Sequence, residues 1–144
     1  MTRLVSTLCT AILLASCSQS GPAPAGGLIT DRGSFPSPLS NHILVIGSKT
    51  ETLVDYRIVN AATEAEFAPK KLFSDTMRWA ACWEDDDTLW VYSSDIGLSV
   101  WKRSSNSTFA QQWLIQRADL IPTIPPNLWN FLPNSLKRQW KSVR

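Results

Sequence analysis

Apolar residues along this chain fall into short runs separated by polar breaks, a spacing that suits strands better than helices. Ile43-Leu44-Val45-Ile46 is a β-branched run that starts directly after His42 and predicts the first ordered strand. From Leu53 to Val59 the pattern alternates, with Val54, Tyr56 and Ile58 on one face and Asp55 and Arg57 on the other. A period of two predicts a half-buried strand. A weaker strand is expected between Glu66 and Phe73, interrupted by Pro69. Proline lacks a ladder donor, so this strand belongs at a sheet edge.

The densest apolar pattern lies between Met77 and Arg103 and predicts three antiparallel strands: Met77 to Trp83, Thr88 to Ser94 and Leu98 to Arg103. Asp95-Ile96-Gly97 suits a three-residue hairpin loop whose last residue is left-handed, a conformation glycine reaches at little cost. Ser94 would then face Leu98, Tyr92 would face Val100 and Trp90 would face Lys102. If Glu84-Asp85-Asp86-Asp87 forms the other loop, Trp83 opposes Thr88, Ala81 opposes Trp90 and Trp79 opposes Tyr92. This register sorts Trp79, Ala81, Trp83, Trp90, Tyr92, Leu98 and Val100 onto one face, and Ala80, Cys82, Leu89, Val91 and Trp101 onto the other. Both faces are apolar, so both require a cover.

Beyond Arg103 the pattern predicts a polar loop over Ser104 to Thr108 and a strand around Gln112 to Arg117. The proline-spaced segment Ile121-Pro122-Thr123-Ile124-Pro125-Pro126 should run extended. Asn127 is placed to cap a turn from Leu128 to Leu132, and Asn134 to cap a short helix from Ser135 toward Ser142,. Leu136, Trp140 and Val143 share one stripe of that helix, and Lys137, Lys141 and Arg144 form a basic row beside it. The helix could cover the sheet or lie on an anionic membrane surface. Docking is the expectation, because Trp129 and Phe131 just upstream also need burial. The fold class is therefore mainly β: a small antiparallel, sandwich-like domain of about five to seven strands with a short C-terminal helix.

The amino-terminal region has a different texture. Arg3 is followed by an uncharged stretch from Leu4 to Ala15, about a dozen residues where a membrane-spanning helix needs about 20. This is the layout of a secretory signal. Leu14-Ala15-Ser16-Cys17 resembles the lipobox of bacterial lipoproteins, and the resemblance covers residues 1–18 only. It implies cleavage after Ser16 and a lipid, including palmitate-type acyl chains, on Cys17. Cys9 is a poor alternative, because too few apolar residues precede it. From Ser18 to Asn41 the chain is rich in Ser, Gly, Pro and Ala, which reads as a flexible tether. The division expected is thus 1–16 signal peptide, 17–41 lipidated tether and 42–144 a single β-rich domain. Cys82 would be the one free thiol of the mature chain, buried as a small hydrophobe.

Charge and composition exclude more than they specify. A formal net charge of +2 over 144 residues gives no footprint for nucleic acid. Walker, G-x-G-x-x-G, H-E-x-x-H, C-x-x-C and G-x-S-x-G motifs are all missing from the sequence,. A single histidine, His42, excludes multi-histidine metal centres and is expected to be solvated or to cap the first strand. Glu84 to Asp87 lacks the alternating ligand spacing of calcium loops, so a solvated turn is expected. Asn106-Ser107-Thr108 is a sequon by chance in a bacterial lipoprotein. The acidic turn between aromatic strands resembles the inner hairpin of a β-propeller blade, but about 100 residues hold two blades, too few to close a propeller.

Seven tryptophans in 144 residues are the compositional oddity. Each supplies core area on the order of 150–250 Å²; alternatively Trp83, Trp79, Trp90 and Tyr92 form a binding platform for a glycan or protein partner. Trp83, beside the acidic loop, is the member expected closest to solvent. The functional expectation is a membrane-anchored envelope lipoprotein acting as a non-catalytic binding or assembly module, with no cofactor or metal. It would be held on the periplasmic face of the outer membrane if the host has two membranes. An inhibitor or immunity-type lipoprotein is the alternative, and a hydrolase of envelope polymers ranks third.

Overall fold

The computed structural model describes residues 24–48, 50–67, 71–103, 109–113, 121 and 123–140. Signal peptide, Cys17, the 104–108 loop and Val143 with its neighbouring basic residues Lys141 and Arg144 lie outside them, as do residues 114–117 of the expected late strand. Among the described residues nine strands form two antiparallel sheets. The strands are β1 (Leu28–Ile29), β2 (Gly33–Pro36), β3 (His42–Ser48), β4 (Leu53–Asn60), β5 (Lys71–Ser74), β6 (Trp79–Trp83), β7 (Leu89–Ser93), β8 (Gly97–Arg103) and β9 (Phe109–Trp113). One sheet has the order β1-β6-β7-β8-β9 and the other β2-β3-β4-β5. Two short helices follow, α1 (Pro126–Phe131) and α2 (Asn134–Trp140).

The expected mainly β sandwich is therefore present, with more strands than the pattern suggested. Val54, Tyr56 and Ile58 are all buried between the sheets while Arg57 is exposed, as alternation requires, but Asp55, on the face of Arg57, is buried as well. The edge expectation for the weak strand holds for β5, and Glu66 forms a separate bridge with Val59.

Two of the added strands overturn the tether boundary. β1 pairs Leu28 with Cys82 and Ile29 with Ala81, and β2 pairs along β3 from Gly33 opposite Ile46 to Pro36 opposite Ile43. Ile29 is buried in the core between the sheets, and Phe35 packs against it. Segments this short evade a compositional reading, because two apolar anchors and backbone pairing order a stretch whose average looks like linker. The folded domain begins before His42.

The long central sheet is covered on both sides. Toward the second sheet, Trp79, Ala81, Trp83, Leu89, Val91 and Trp101 meet Leu44, Ile46, Val54, Tyr56, Ile58 and Phe73. On the other side, Ala80, Cys82, Trp90, Tyr92, Leu98 and Val100 meet Ile121, Ile124, Leu128, Leu132 and Trp140. The C-terminal segment thus docks on the sheet. Asn127 does not cap α1: Pro125 stands at the cap and Pro126 at the first helical position, where a missing N–H costs nothing. The Asn127 side chain instead donates to the Gly26 carbonyl at 2.9 Å, tying the entry of the domain to the helix.

Candidate functional site

The faces observed differ from those expected, and the difference removes the aromatic platform. β6 and β7 pair Trp83 with Leu89, Cys82 with Trp90 and Trp79 with Ser93. That is a slip of one residue, which turns every β6 side chain to the opposite face. β7 and β8 pair Trp90 with Val100, Tyr92 with Leu98 and Ser93 with Gly97, a slip of two, which leaves the faces unchanged. Trp79 and Trp83 consequently lie in the core between the sheets, while Trp90 and Tyr92 lie under the helices.

All four are buried; Trp83 and Trp90 are each 0% exposed. Trp83 Nε1 donates to the Phe35 carbonyl at 3.1 Å, and Trp90 Nε1 donates to the Glu84 carboxylate. These two indoles thus each have a hydrogen bond, as buried tryptophans generally do. Trp79, Trp83, Trp90 and Tyr92 are core residues, and Trp83 is not the solvent-facing one. Cys82 is buried as expected, although beside Trp90 and not Leu89. Burial and the nearby Glu84 charge push its thiol up to about 12, far from the thiolate that reactive cysteines require.

The slip originates in the acidic turn. Glu84 N–H donates to the Thr88 carbonyl at 2.9 Å, Asp87 N–H donates to the Glu84 carbonyl at 3.1 Å, and Asp87 is left-handed at φ +62°. Asp86 accepts from Thr88 N–H at 2.9 Å. Only Asp85 and Asp86 are exposed in this turn, so the expectation of a solvated loop fails for its two ends. Burial raises the Glu84 carboxyl above its usual range, opposed by the Trp90 hydrogen bond.

Asp87 is 2% exposed and His42 is 3% exposed, and Asp87 Oδ2 accepts from His42 Nδ1 at 3.0 Å. A carboxylate can only accept, so Nδ1 carries the shared proton. Asp87 Oδ1 also accepts from Leu39 N–H at 3.2 Å. His42 is therefore neither solvated nor a simple cap. It sits in the four-stranded sheet, packed edge-on against Phe67 and Phe109 with ring centroids 5.2 Å and 4.8 Å away, and joins that sheet to the β6–β7 turn of the other. Nothing local announces this pairing, since 45 residues separate the partners.

A groove of about 460 Å³ opens beside the pair, lined by Ser40, Asn41, His42, Asn60, Phe67 and Arg103 among others. Ser40 adopts φ +58°. Asn60 uses its side-chain oxygen to accept from Ala62 and Thr63 N–H, which shapes the far wall as a tight turn. A second groove of about 360 Å³ lies by the acidic turn, between Gly26, Glu84, Asp85, Asp86 and Pro125.

No family model, curated protein or solved structure matches this chain. The site is thus read from its own chemistry. With Nδ1 committed to Asp87, Nε2 is the atom left to meet a ligand, as an acceptor when the ring is neutral and a donor when it is charged. Ser37, also buried, accepts from the His42 backbone N–H at 3.2 Å. That bond does not involve the ring, so Ser37, His42 and Asp87 form no proton relay. Among the described residues no cluster of three or more metal-ligating side chains occurs.

Proposed function

We propose that this chain is a lipid-anchored, non-catalytic binding or assembly module of the bacterial envelope. The observation that carries this reading is Leu14-Ala15-Ser16-Cys17 standing seven residues before the first described residue, Pro24. Seven residues of chain span at most about 25 Å, so an acylated Cys17 would hold the sandwich close to the headgroups. The apolar faces of the sandwich are covered by its own chain, and among the described residues no helix is long and apolar enough to cross a membrane. A lipid would therefore supply the attachment. In a two-membrane host the periplasmic face of the outer membrane is the proposed site.

With Trp79, Trp83, Trp90 and Tyr92 in the core, binding falls to the polar grooves, and the envelope partner is proposed to be a protein or glycan bearing polar groups. The alternative, an inhibitor or immunity-type lipoprotein, draws its support from exposed Asp85 and Asp86 beside the second groove. Replacing Cys17 by Ser is expected to move the folded protein from the membrane to the soluble fraction, and mass spectrometry of the wild type should find a diacylglyceryl-modified Cys17 at the mature terminus. An unmodified terminus elsewhere overturns the proposal. Capture that requires Asp85 and Asp86, and is lost on D85N/D86N, would favour the inhibitor.

A further inference from the structure

We infer that a third groove, between the β5–β6 and β7–β8 turns and α2, is the docking site for an acidic segment of a partner protein, whose carboxylate is received by Arg78 and Tyr92. This deepens the binding-module reading by naming the partner's chemistry, and it rests on the lipid anchor only for the direction in which the groove faces. The groove holds about 400 Å³ and is lined by Arg78, Tyr92, Ser94, Pro133, Ser135 and Leu136 among others. Small-ligand and anchor-residue sites usually fall between about 300 and 1,000 Å³.

Two contacts in this groove are set before any ligand arrives, and both depend on Phe131. The Arg78 guanidinium stacks over that ring, 4.0 Å from its centroid. Stacking uses the flat face of the guanidinium and leaves its in-plane N–H groups to a ligand. Ser94 N–H and the Ser94 hydroxyl both donate to the Arg78 carbonyl, at 3.0 Å and 2.9 Å, which fixes the backbone beneath. Among the described residues the Arg78 side chain makes no ion pair. Tyr92 meets the same Phe131 ring edge-on, with centroids 6.2 Å apart, and is 2% exposed. No hydrogen bond engages its hydroxyl among the described residues, whereas buried hydroxyls generally have a partner. A fixed guanidinium and a fixed phenol on one ring are matched by a group that accepts several hydrogen bonds and carries one negative charge, which is a carboxylate. Pro133 and Leu136 supply an apolar wall for the side chain next to the acidic one.

Charge and position give the occupant. The acidic side chains of the two turns are engaged: Asp75 pairs with Arg32, and Asp95 accepts from Ser74 N–H and the Ser93 hydroxyl. From Leu120 to Arg144 the sequence carries Lys137, Arg138, Lys141 and Arg144 and no acidic side chain. Arg138, three positions after Ser135, flanks the groove side of α2. Asp119 is the one acidic side chain outside the described residues. Gly26 N–H donates to the Trp83 carbonyl at 2.7 Å, so the chain enters at one end of β6 while Arg78 stands just past the other. Five strand residues separate these ends by about 17 Å. A domain tethered at its Trp83 end presents the groove away from the headgroups, within reach of a protein.

The test uses the full chain, ¹⁵N-labelled in a zwitterionic detergent, and follows the Arg78 Nε–H resonance, assigned by its loss in Arg78→Gln. The blocked peptide acetyl-Leu-Glu-Glu-Leu-amide is expected to shift it saturably, and acetyl-Leu-Gln-Gln-Leu-amide should bind at least about tenfold more weakly. Arg78→Gln, at an exposed position, should keep the fold and weaken binding about tenfold, read at the Ser94 backbone amide. Tyr92→Phe keeps the ring contact and should weaken binding by about threefold to tenfold. An equal response to the Gln peptide, binding untouched by Arg78→Gln, or no saturable shift in the folded protein overturns the inference. A response to phosphatidylglycerol bicelles or to inorganic phosphate that exceeds the response to the acidic peptide overturns the choice of a protein carboxylate. Failure of these titrations leaves the membrane fractionation of the Cys17 variant unaffected, so the anchor and the groove are tested separately.

Discussion

At the turn between β7 and β8 the left-handed residue is Gly97, with φ +89°; at the turn between β6 and β7 it is Asp87, with φ +62°. Gly97 needs no help. A Cβ placed on it would meet no atom within 4 Å, and glycine reaches this region at no steric cost. Asp87 has a Cβ and tolerates the conformation less well, although acidic and amide side chains enter it more readily than most. What fixes it is tertiary: His42 Nδ1 and Leu39 N–H both reach its carboxylate. One turn follows from an intrinsic backbone preference and the other from contacts brought by a second sheet. The first left the faces of its strands as expected; the second shifted its register by an odd number and reversed one strand.

The comparison is most directly broken at the residues that hold the acidic turn. Trp90→Ala should destabilise the domain by about 3–5 kcal/mol, the usual cost of removing a buried aromatic, and should also free Glu84, whose carboxylate accepts from the indole. Denaturant titration measures it, and a loss under about 1 kcal/mol would show that the helix-covered face is not packed as described. Asp87→Ala follows at about 3 kcal/mol, because it leaves His42 and Leu39 N–H without their partner and keeps a Cβ in the left-handed region. Asp87→Gly should recover about 1 kcal/mol of that loss, the part owed to backbone conformation. No recovery would mean that Asp87 acts through its carboxylate alone.

At the other turn, Gly97→Ala should cost about 1–2 kcal/mol, with no rescue available from a neighbouring side chain. If instead it proves neutral, the contrast between the two turns disappears. The smallest effect distinguishes them by pH. Burial raises the Glu84 carboxyl, so its native form holds a proton more strongly than the unfolded chain. Its contribution is complete below the unfolded value and declines as pH rises above about 4.5,. Glu84→Gln should flatten stability in that range by less than about 1 kcal/mol, since the group is half-exposed.

Asp95, in the Gly97 turn, goes the other way. Burial pushes its carboxyl up, but hydrogen bonds from the Ser93 hydroxyl and from the Ser74, Asp95 and Ile96 backbone outweigh that and hold it below its usual range. Its contribution is present above the unfolded value, near 3.8, and is lost as pH falls below it,. Asp95→Asn should therefore remove a stability loss in acid, where Glu84→Gln removes one toward neutrality. Thermal unfolding scans of both variants across pH 3–7 check the opposite signs; slopes of the same sign would refute the pairing.

The sequence by itself determined the local features. Alternation from Val54 to Ile58 placed a strand with one face in the core, the apolar density from Met77 to Arg103 placed a sheet needing cover on both faces, and Gly97 marked a left-handed turn. Burial of Cys82 was also legible, because both faces of its strand are apolar and either register hides it. Face assignment of β6 was not legible: it depends on whether the acidic loop turns through three residues or four, and His42, 45 positions away, settles that. The early strands were hidden for a related reason, since Leu28–Ile29 and Gly33–Pro36 have too little apolar content to order alone and do so by pairing with β6 and β3. The His42 groove belongs wholly to the tertiary level. Its described walls come from residues 40–42, 60–62, Phe67 and Arg103, and its central side chain is oriented by Asp87 from the opposite sheet, a juxtaposition that periodicity and propensity, which act over a few residues, cannot encode.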